Sequence, residues 1–347
     1  MLSAKGFAAP APKLPLEPFS FSRREPGAKE VLIDIKFCGV CHSDIHQVRD
    51  EWGKGMYPMV PGHEIVGEIV KVGSEVTKFK VGDLAGVGCF VDSCRTCPSC
   101  QKGLEQYCEV GMVGTYNSKD KQGNPTYGGY SNFITVDEQY TLKVSPKLDL
   151  AAVAPLLCAG VTTWSPLREW KVGKGHKVAI VGLGGLGHMA VKFAVSFGAD
   201  VTVLSTSPSK EKDAKDLGAH NFAVTRDPEH FKALRSSFDF IIDTVSAPHD
   251  IASYTNLLKV DGTMILLGIP PEPSLIPSGA LVMKRRRLVG SLIGGIKETQ
   301  EMLDYCAEHD IVSDIELIPI QYLNDAYERV LKSDVRYRFV IDMASVE

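Results

Sequence analysis

Residues 176–205 read HKVAIVGLGGLGHMAVKFAVSFGADVTVLS and decide the fold of the central part of the chain. HKVAIVG is a short apolar run typical of a buried strand, and LGHMAVKFAVSFG after it has helical spacing and ends at a glycine. DVTVLS is a second strand. The turn between the first strand and the helix contains G-x-G-x-x-G, a spacing that lets the backbone approach a dinucleotide pyrophosphate at the helix N-terminus. The cofactor-binding residues expected in this turn are Gly182, Leu183, Gly184, Gly185, Leu186 and Gly187.

The alternation of strands and helices continues beyond this stretch through HNFAV, FDFIIDTV, GTMILLG and RLVGSLIGG. Six such runs predict an α/β domain with a parallel, doubly wound sheet over residues 151–295. Residues 1–150 contain short alternating runs punctuated by glycine and proline, which predicts a β-rich domain. The tail, residues 296–347, has a helix followed by a strand, helix and strand pattern. We assign it to the β-rich domain, so the doubly wound domain is expected to be an insertion.

The end of the second strand predicts which nicotinamide cofactor binds. An acidic residue there would hydrogen-bond a free ribose 2′-hydroxyl, but Ser205, Thr206 and Ser207 stand in its place. Ser207 and Pro208 suit the start of a helix, which puts Lys210 in the first turn, where the helix dipole disfavours a cation by ~0.3–1 kcal/mol. A bound 2′-phosphate would resolve that conflict, although a solvent-facing lysine is the alternative. We therefore expect NADP(H).

The segment CRTCPSCQKGLEQYC, residues 94–108, carries a compact set of cysteines: Cys94, Cys97, Cys100 and Cys108. Four thiolates at this spacing can close a tetrahedron around Zn²⁺ and leave no position for a substrate, as in structural zinc sites. A nucleic-acid-binding finger would need a paired half with a recognition helix, and the chain is acidic. An iron–sulfur cluster is a further alternative. Disulfides are disfavoured because the N-terminus lacks the apolar stretch of a signal peptide, so a reducing compartment is expected.

A second metal-binding set is dispersed along the chain in CGVCHSDIH, PGHE and APLLCAG. Each of its residues is unremarkable by itself, and a lone cysteine is usually a small buried apolar residue. Together Cys41, His63 and Cys158 supply two thiolates and one imidazole, the set that leaves one zinc coordination position open in alcohol dehydrogenases.

These motifs give the chain a family resemblance. CGVCHSD, PGHEIVG, GDLAGVGC, PLLCAG, GLGGLGH, STSPSK and RRRLVGS occur in this order over nearly the whole length. The chain resembles a zinc-dependent medium-chain alcohol dehydrogenase of the cinnamyl alcohol dehydrogenase-like branch, which includes bacterial NADPH-dependent aldehyde reductases. The resemblance implies a GroES-like catalytic domain (1–150 and 296–347) with a structural-zinc lobe at about 89–110, and a Rossmann domain (151–295).

The resemblance also implies residue roles. Cys41, His63 and Cys158 correspond to catalytic zinc ligands, and Glu64 to a carboxylate that can approach this zinc. Asp44 corresponds to the acceptor that orients His63. Ser43 resembles the hydroxyl that passes a proton from the reacting oxygen, and His46 the imidazole that relays it to solvent. The ligands of the structural zinc correspond to Cys94, Cys97, Cys100 and Cys108. Further cofactor contacts are implied for Thr162, Thr244, Gly268, Ser291, Leu292 and Ile293.

The implied activity is the reversible reduction of aliphatic and aromatic aldehydes to primary alcohols with two zinc ions and NADP(H). A zinc-free quinone reductase would lack the dispersed set, and a polyol dehydrogenase would usually prefer NAD. The net charge of −4 predicts no general attraction to nucleic acid or anionic lipid. The absence of any uninterrupted apolar stretch of eighteen residues predicts no membrane span. We expect a cytoplasmic homodimer and a small-molecule partner. The basic run of residues 284–287 would serve a structural or nucleic-acid-binding protein in a non-enzymatic alternative, but we expect it to be a solvated turn near the cofactor cleft.

Overall fold

The computed structural model describes residues 1–270 and 272–346 and divides into two compact units. One comprises Met1–Val161 and Gly294–Glu347, and the other Thr162–Ile293. The sequence-based boundaries fall after residues 150 and 295. They differ from the structural boundaries most at the first junction, where the structure divides the chain after Val161. Residues 150–153 form a buried apolar helix that contacts strands of the first unit. The change from a strand-rich to a helix-containing sequence pattern therefore comes before the boundary between the two units.

The strands of the described residues are β1 Leu2–Ala8, β2 Glu17–Arg23, β3 Glu30–Gly39, β4 Ile65–Val72, β5 Leu84–Val87, β6 Phe90–Asp92, β7 Val113–Gly114, β8 Phe133–Asp137, β9 Leu142–Lys143, β10 Lys177–Val181, β11 Asp200–Ser205, β12 Asn221–Val224, β13 Phe238–Asp243, β14 Leu258–Leu266, β15 Arg287–Gly290, β16 Ile315–Pro319 and β17 Arg338–Asp342. The α-helices are α1 His42–Val48, α2 Pro98–Gln101, α3 Leu150–Val153, α4 Ala159–Glu169, α5 Gly187–Ser196, α6 Glu211–Asp216, α7 Pro228–Ala233, α8 Ile251–Thr255, α9 Ser278–Val282, α10 Ile296–His309 and α11 Leu323–Leu331. Short 3-10 turns connect several of them.

The unit of residues 162–293 is built on a parallel sheet in the order β12-β11-β10-β13-β14-β15. The strand order reverses between β10 and β13, which is the topology of a doubly wound dinucleotide-binding fold. Its buried core includes Ala179, Ile241 and Met264. The expected α/β doubly wound sheet is therefore confirmed, and the glycine turn lies at the carboxyl end of β10.

The unit formed by the two ends of the chain contains a curved sheet in the order β16-β17-β3-β4-β5-β9, with β8 also paired to β3. Strands β3 and β4 are antiparallel and are interrupted by register shifts, which bend the sheet. The last strand of the chain, β17, pairs with β3 through residues 37–39. The unit is β-rich, as the sequence predicted, and the tail supplies two of its strands.

The basic run of residues 284–287 differs from the sequence-based expectation. Arg285 is exposed and pairs with Asp261, but Arg286 is buried and donates to the carbonyl oxygen of Leu258 and to Asn256. The run thus enters β15 and fastens it to the preceding strand. The prediction of a solvated turn was wrong for Arg286, because a guanidinium group can donate to several buried carbonyl oxygens at once.

No single helix in residues 1–270 and 272–346 is long and apolar enough to cross a bilayer. One bent pair, Leu150–Leu157 with Ala159–Glu169, meets the criteria of length and composition only.

Candidate active site

The dispersed cysteine and histidine residues meet in the first unit. Cys41 precedes α1, His63 and Glu64 directly precede β4, and Cys158 lies between a 3-10 turn and α4. One ligand atom from each of these four side chains lies within 4.8 Å of the others, and all four side chains are buried. The Sγ atoms of Cys41 and Cys158 are 3.9 Å apart.

The electrostatics of this cluster favour a bound cation. A hydrogen bond from the Cys158 thiol lowers the pKa of Cys41 well below its usual value, and the same bond raises that of Cys158. Soft thiolates and an imidazole in a dry site are ligands that zinc prefers. The buried Oε2 of Glu64 has no hydrogen-bond partner among the described residues, so one acceptor in the cluster is left unsatisfied. The donor set therefore fits a zinc ion.

Asp44 is the central anchor beneath the cluster. Its carboxylate is fully buried and accepts from the Nδ1 of His63 at 3.0 Å and from the backbone N–H of Cys41 at 2.9 Å. A backbone N–H of Gly62 donates to it at 3.1 Å. Because Asp44 engages Nδ1, the Nε2 of His63 is the nitrogen left for a metal. The resemblance gave Asp44 this orienting role, and the geometry is suited to it.

The sequence analysis missed a buried ion pair at this site. Arg338 in β17 donates to Oε1 of Glu64, and both side chains are almost fully buried. Burial raises the pKa of Glu64 to about 7, while the Arg338 charge acts against that rise. The two residues are 274 positions apart, so no local motif could have connected them.

Ser43 and His46 lie on α1, one turn apart on the same helix. The Cys41 thiol lies 3.6 Å from the Ser43 hydroxyl. Nδ1 of His46 contacts the carboxylate of Glu51, whereas its Nε2 is buried and has no partner in the described chain. The His46 ring also stacks on Trp52 with centroids 4.7 Å apart. The Ser43 hydroxyl thus lies beside the cluster, and His46 lies one helical turn further along α1 with an unpartnered ring nitrogen.

The four clustered cysteines form a separate site in the same unit, and their Sγ atoms lie within 4.8 Å of one another. Backbone N–H groups of Thr96 and Cys97 lower the pKa of Cys94 to about 6, whereas burial raises that of Cys100 to about 11. All of these cysteines are free of disulfides. Four sulfur atoms at this separation fit a closed zinc site.

The glycine turn has the shape that a dinucleotide requires. Gly182 has φ +88°, and a Cβ at Gly187 would lie 2.1 Å from the carbonyl oxygen of Gly182. Gly187 therefore allows α5 to pack closely on β10. At Gly184, by contrast, a Cβ would meet no described atom within 4 Å, so the backbone there is open to a ligand. The turn fits a bound pyrophosphate.

The end of β11 presents hydroxyls and a lysine but no carboxylate. The Ser205 Oγ accepts from the N–H of Ser207 at 3.2 Å, and Thr206 is exposed. Lys210 ends a 3-10 turn, Pro208–Lys210, and its Nζ donates to the carbonyl oxygen of Leu183 at 2.8 Å. Lys210 is also the N-cap of α6, so its cation does lie at a helix N-terminus, and its side chain reaches across to the glycine turn.

The other residues expected to contact cofactor all occur in the unit of residues 162–293. Thr162 is buried in α4, and Thr244 follows β13 and donates to the carbonyl oxygen of Val181 at 2.7 Å. A Cβ at Gly268 would lie 2.2 Å from the carbonyl oxygen of Val245, so only glycine fits there. Ser291, Leu292 and Ile293 follow β15, and Ile293 has φ +36°.

Comparisons with known proteins identify the family. Residues 27–146 match the alcohol dehydrogenase GroES-like domain, and residues 185–308 match the zinc-binding dehydrogenase domain. The chain belongs to the zinc-binding medium-chain alcohol dehydrogenases, in the branch of the cinnamyl alcohol dehydrogenases. The predicted family and fold class are thereby confirmed.

Individual relatives of the chain are alcohol dehydrogenases and an aldehyde reductase. The chain is 58% identical to NADP-dependent alcohol dehydrogenase C 1 of Mycolicibacterium smegmatis, covering 100% of this chain and 99% of the relative. It is 55% identical to the aldehyde reductase YahK of Escherichia coli, with 98% of both chains covered. A cinnamyl alcohol dehydrogenase structure from Sorghum bicolor matches with a TM-score of 0.97 at 47% identity, covering 100% of this chain and 99% of that one.

Proposed function

We propose that this chain is a zinc-dependent, NADP(H)-dependent dehydrogenase that interconverts aldehydes and primary alcohols. The observation that carries the proposal is the convergence of Cys41, His63 and Cys158 in one buried cluster. Two thiolates and an imidazole leave a zinc ion one open position, which is a feature of catalytic rather than structural zinc sites. The names of the relatives, an NADP-dependent alcohol dehydrogenase and an aldehyde reductase, support the same reaction class.

The residues of the cluster would hold the catalytic zinc, and the four clustered cysteines a structural one. When bound, zinc supplies a Lewis acid that polarises the carbonyl group, and NADPH supplies the hydride. Asp44 holds the imidazole of His63 in the tautomer that presents Nε2. Arg338 neutralises Glu64, so a carboxylate can remain beside the thiolates without a net unpaired charge.

The proton that completes alcohol formation is assigned to Ser43 and His46. Ser43 carries its proton on a hydroxyl close to Cys41, and so close to the proposed metal site. His46 presents a buried, unpartnered Nε2, and an imidazole exchanges protons near neutral pH. Glu51 contacts the other ring nitrogen and fixes which nitrogen is available. This assignment gives the serine direct contact with substrate and the histidine a relay role.

NADP(H) is preferred to NAD(H) because β11 ends without a carboxylate. Ser205, Thr206 and Ser207 offer donors, and Lys210 supplies positive charge beside the glycine turn. Arg226, which the sequence analysis did not single out, supplies a second exposed cation. It follows Thr225, whose N–H donates to the carbonyl oxygen of Ser205 at 2.8 Å, and its guanidinium has no partner within residues 1–270 and 272–346. We include Arg226 in the proposed phosphate site.

An activity screen with purified, zinc-replete protein tests the proposal. NADPH oxidation is followed with aliphatic, aromatic and cinnamyl aldehydes, and NADP⁺ reduction with the matching alcohols. Aldehyde-dependent oxidation of NADPH that exceeds oxidation of NADH supports the function. Efficient turnover of a polyol with NAD⁺, or of a quinone after zinc removal, would instead favour one of the two rival dehydrogenase classes.

We also propose that the chain is a homodimer that works in the cytoplasm. Strand β15 is the outer strand of its sheet, and exposed apolar side chains of Leu275, Val282 and Met283 precede it. An edge strand with neighbouring apolar surface is a favourable place for a second copy to pair. Free cysteines suit a reducing compartment. Light scattering of the purified protein measures the oligomeric state, and a monomeric mass would contradict the dimer.

A further inference from the structure

The shell around Asp44 contains a side chain that neither sequence motifs nor family roles assigned, the hydroxyl of Tyr130. Tyr130 is fully buried, and its hydroxyl donates to Oδ2 of Asp44 at 3.0 Å. Oδ1 of the same carboxylate accepts from His63. The tyrosine and the backbone N–H of Cys41 thus hold one oxygen of the carboxylate, while the histidine and the backbone N–H of Gly62 hold the other. Asp44 cannot turn about its terminal torsion without breaking one of these bonds.

The backbone fixes Tyr130 in this position. Residues 128–130 run alongside residues 60–62, and three N–H groups donate across to Val60, Gly62 and Pro61 at 2.7, 2.9 and 3.0 Å. His63 directly follows residues 60–62 in the chain. The segment that carries Tyr130 is therefore bonded directly to the segment that delivers the imidazole to the cluster.

Packing against Gly62 also fixes the position of the Tyr130 ring. Gly62 has φ +99°, and a Cβ there would lie 2.7 Å from Cδ1 of Tyr130. The tyrosine ring therefore occupies the space that a side chain at position 62 would need. Burial also raises the pKa of the Tyr130 phenol well above its usual value, so the hydroxyl remains a hydrogen-bond donor. A phenylalanine would fill the same volume but could not hold Asp44.

We infer that Tyr130 is a positioning residue of the metal centre, acting through Asp44 on His63. The inference rests on the proposed function, because it concerns the zinc that this cluster would hold. Its hydroxyl keeps the Asp44 carboxylate in the orientation that presents His63 Nε2 to the ion. Outer-shell partners of this kind typically change metal affinity or activity by about 10–100-fold.

The test is the rate at which zinc leaves the protein. Wild type, Tyr130→Phe and Tyr57→Phe are loaded with zinc, and release to a coloured chelator is followed at fixed pH. Tyr57 is the matched control, since its hydroxyl donates to Asp50 at 2.7 Å in the same unit but does not contact Asp44. We expect one of the two zinc ions to leave Tyr130→Phe about 10-fold faster. The other ion, and both ions in Tyr57→Phe, should leave at the wild-type rate.

Two further measurements separate positioning from stability. Melting temperatures show whether Tyr130→Phe is destabilised more than Tyr57→Phe. The Asp44→Asn variant, alone and combined with Tyr130→Phe, shows whether the tyrosine acts through this carboxylate. If it does, the double variant releases zinc no faster than Asp44→Asn alone. Wild-type release from Tyr130→Phe, with or without lower stability, overturns the inference. A wild-type chain that binds no zinc at this cluster, so that Cys158→Ala loses none, overturns the proposed function itself.

Discussion

Removing Arg338 should destabilise the protein because Glu64 would remain buried without its partner. Both side chains are at most 7% exposed, and their ion pair is the contact that compensates the Glu64 charge. Breaking a buried pair by removing one member costs about 3–5 kcal/mol. A unit of roughly 200 residues loses about 2–4 °C of melting temperature per kcal/mol. Arg338→Met should therefore lower the melting temperature of this unit by roughly 6–20 °C.

The assay is thermal unfolding of zinc-replete protein followed by circular dichroism. Arg285→Met is the matched control, because its pair with Asp261 is exposed and such pairs contribute little to stability. The combined change of Glu64→Gln with Arg338→Met removes both charges and should restore most of the loss. A double variant as unstable as Arg338→Met alone would refute the reasoning, since the cost would then come from packing and not from an unpaired charge.

The remaining predictions concern metal and cofactor. Cys158→Ala should lose one of two zinc ions and nearly all turnover while keeping its fold, as measured by elemental analysis, NADPH oxidation and circular dichroism. Ser43→Ala should keep both zinc ions but lower kcat by about 10²–10⁴-fold, since only proton transfer is removed; loss of zinc would show that the serine supports the metal instead. Lys210→Ala should raise KM for NADPH by about 10–100-fold, as expected for loss of a charge-assisted bond of ~1.5–3 kcal/mol. KM for NADH should change less, because only the bond from Lys210 to the carbonyl oxygen of Leu183 is lost. Ser205→Asp should shift the ratio of kcat/KM values towards NADH, and an unchanged ratio would remove the serine from the phosphate site.

The doubly wound sheet was predictable because its evidence is local. Each buried strand is a short apolar run, and the glycine turn needs only the residues between β10 and α5. The two cysteine-containing sets were also visible, one as a compact motif and the other through short motifs shared with a family. Local spacing and residue type were sufficient for these features.

Long-range polar contacts were not predictable in the same way. Arg338 reaches Glu64 from the far end of the sequence, and Tyr130 reaches Asp44 across 86 residues. The burial of Arg286 depends on carbonyl oxygens that another strand leaves within reach. In each case a charged or polar side chain has an ordinary sequence context, and only the folded sheet supplies its partner.

The position of β17 has a consequence for how the protein is made. This strand leaves the ribosome after residues 162–293, yet it lies between β16 and β3 and carries the partner of Glu64. Until β17 is synthesised, residues 37–39 of β3 lack their partner strand and Glu64 lacks its counter-charge, whereas residues 162–293 are already complete. Domains generally fold as units during translation. The unit that contains the dispersed cysteine and histidine cluster must therefore wait for β17, and a chain without β17 would lose this cluster before it lost its dinucleotide fold.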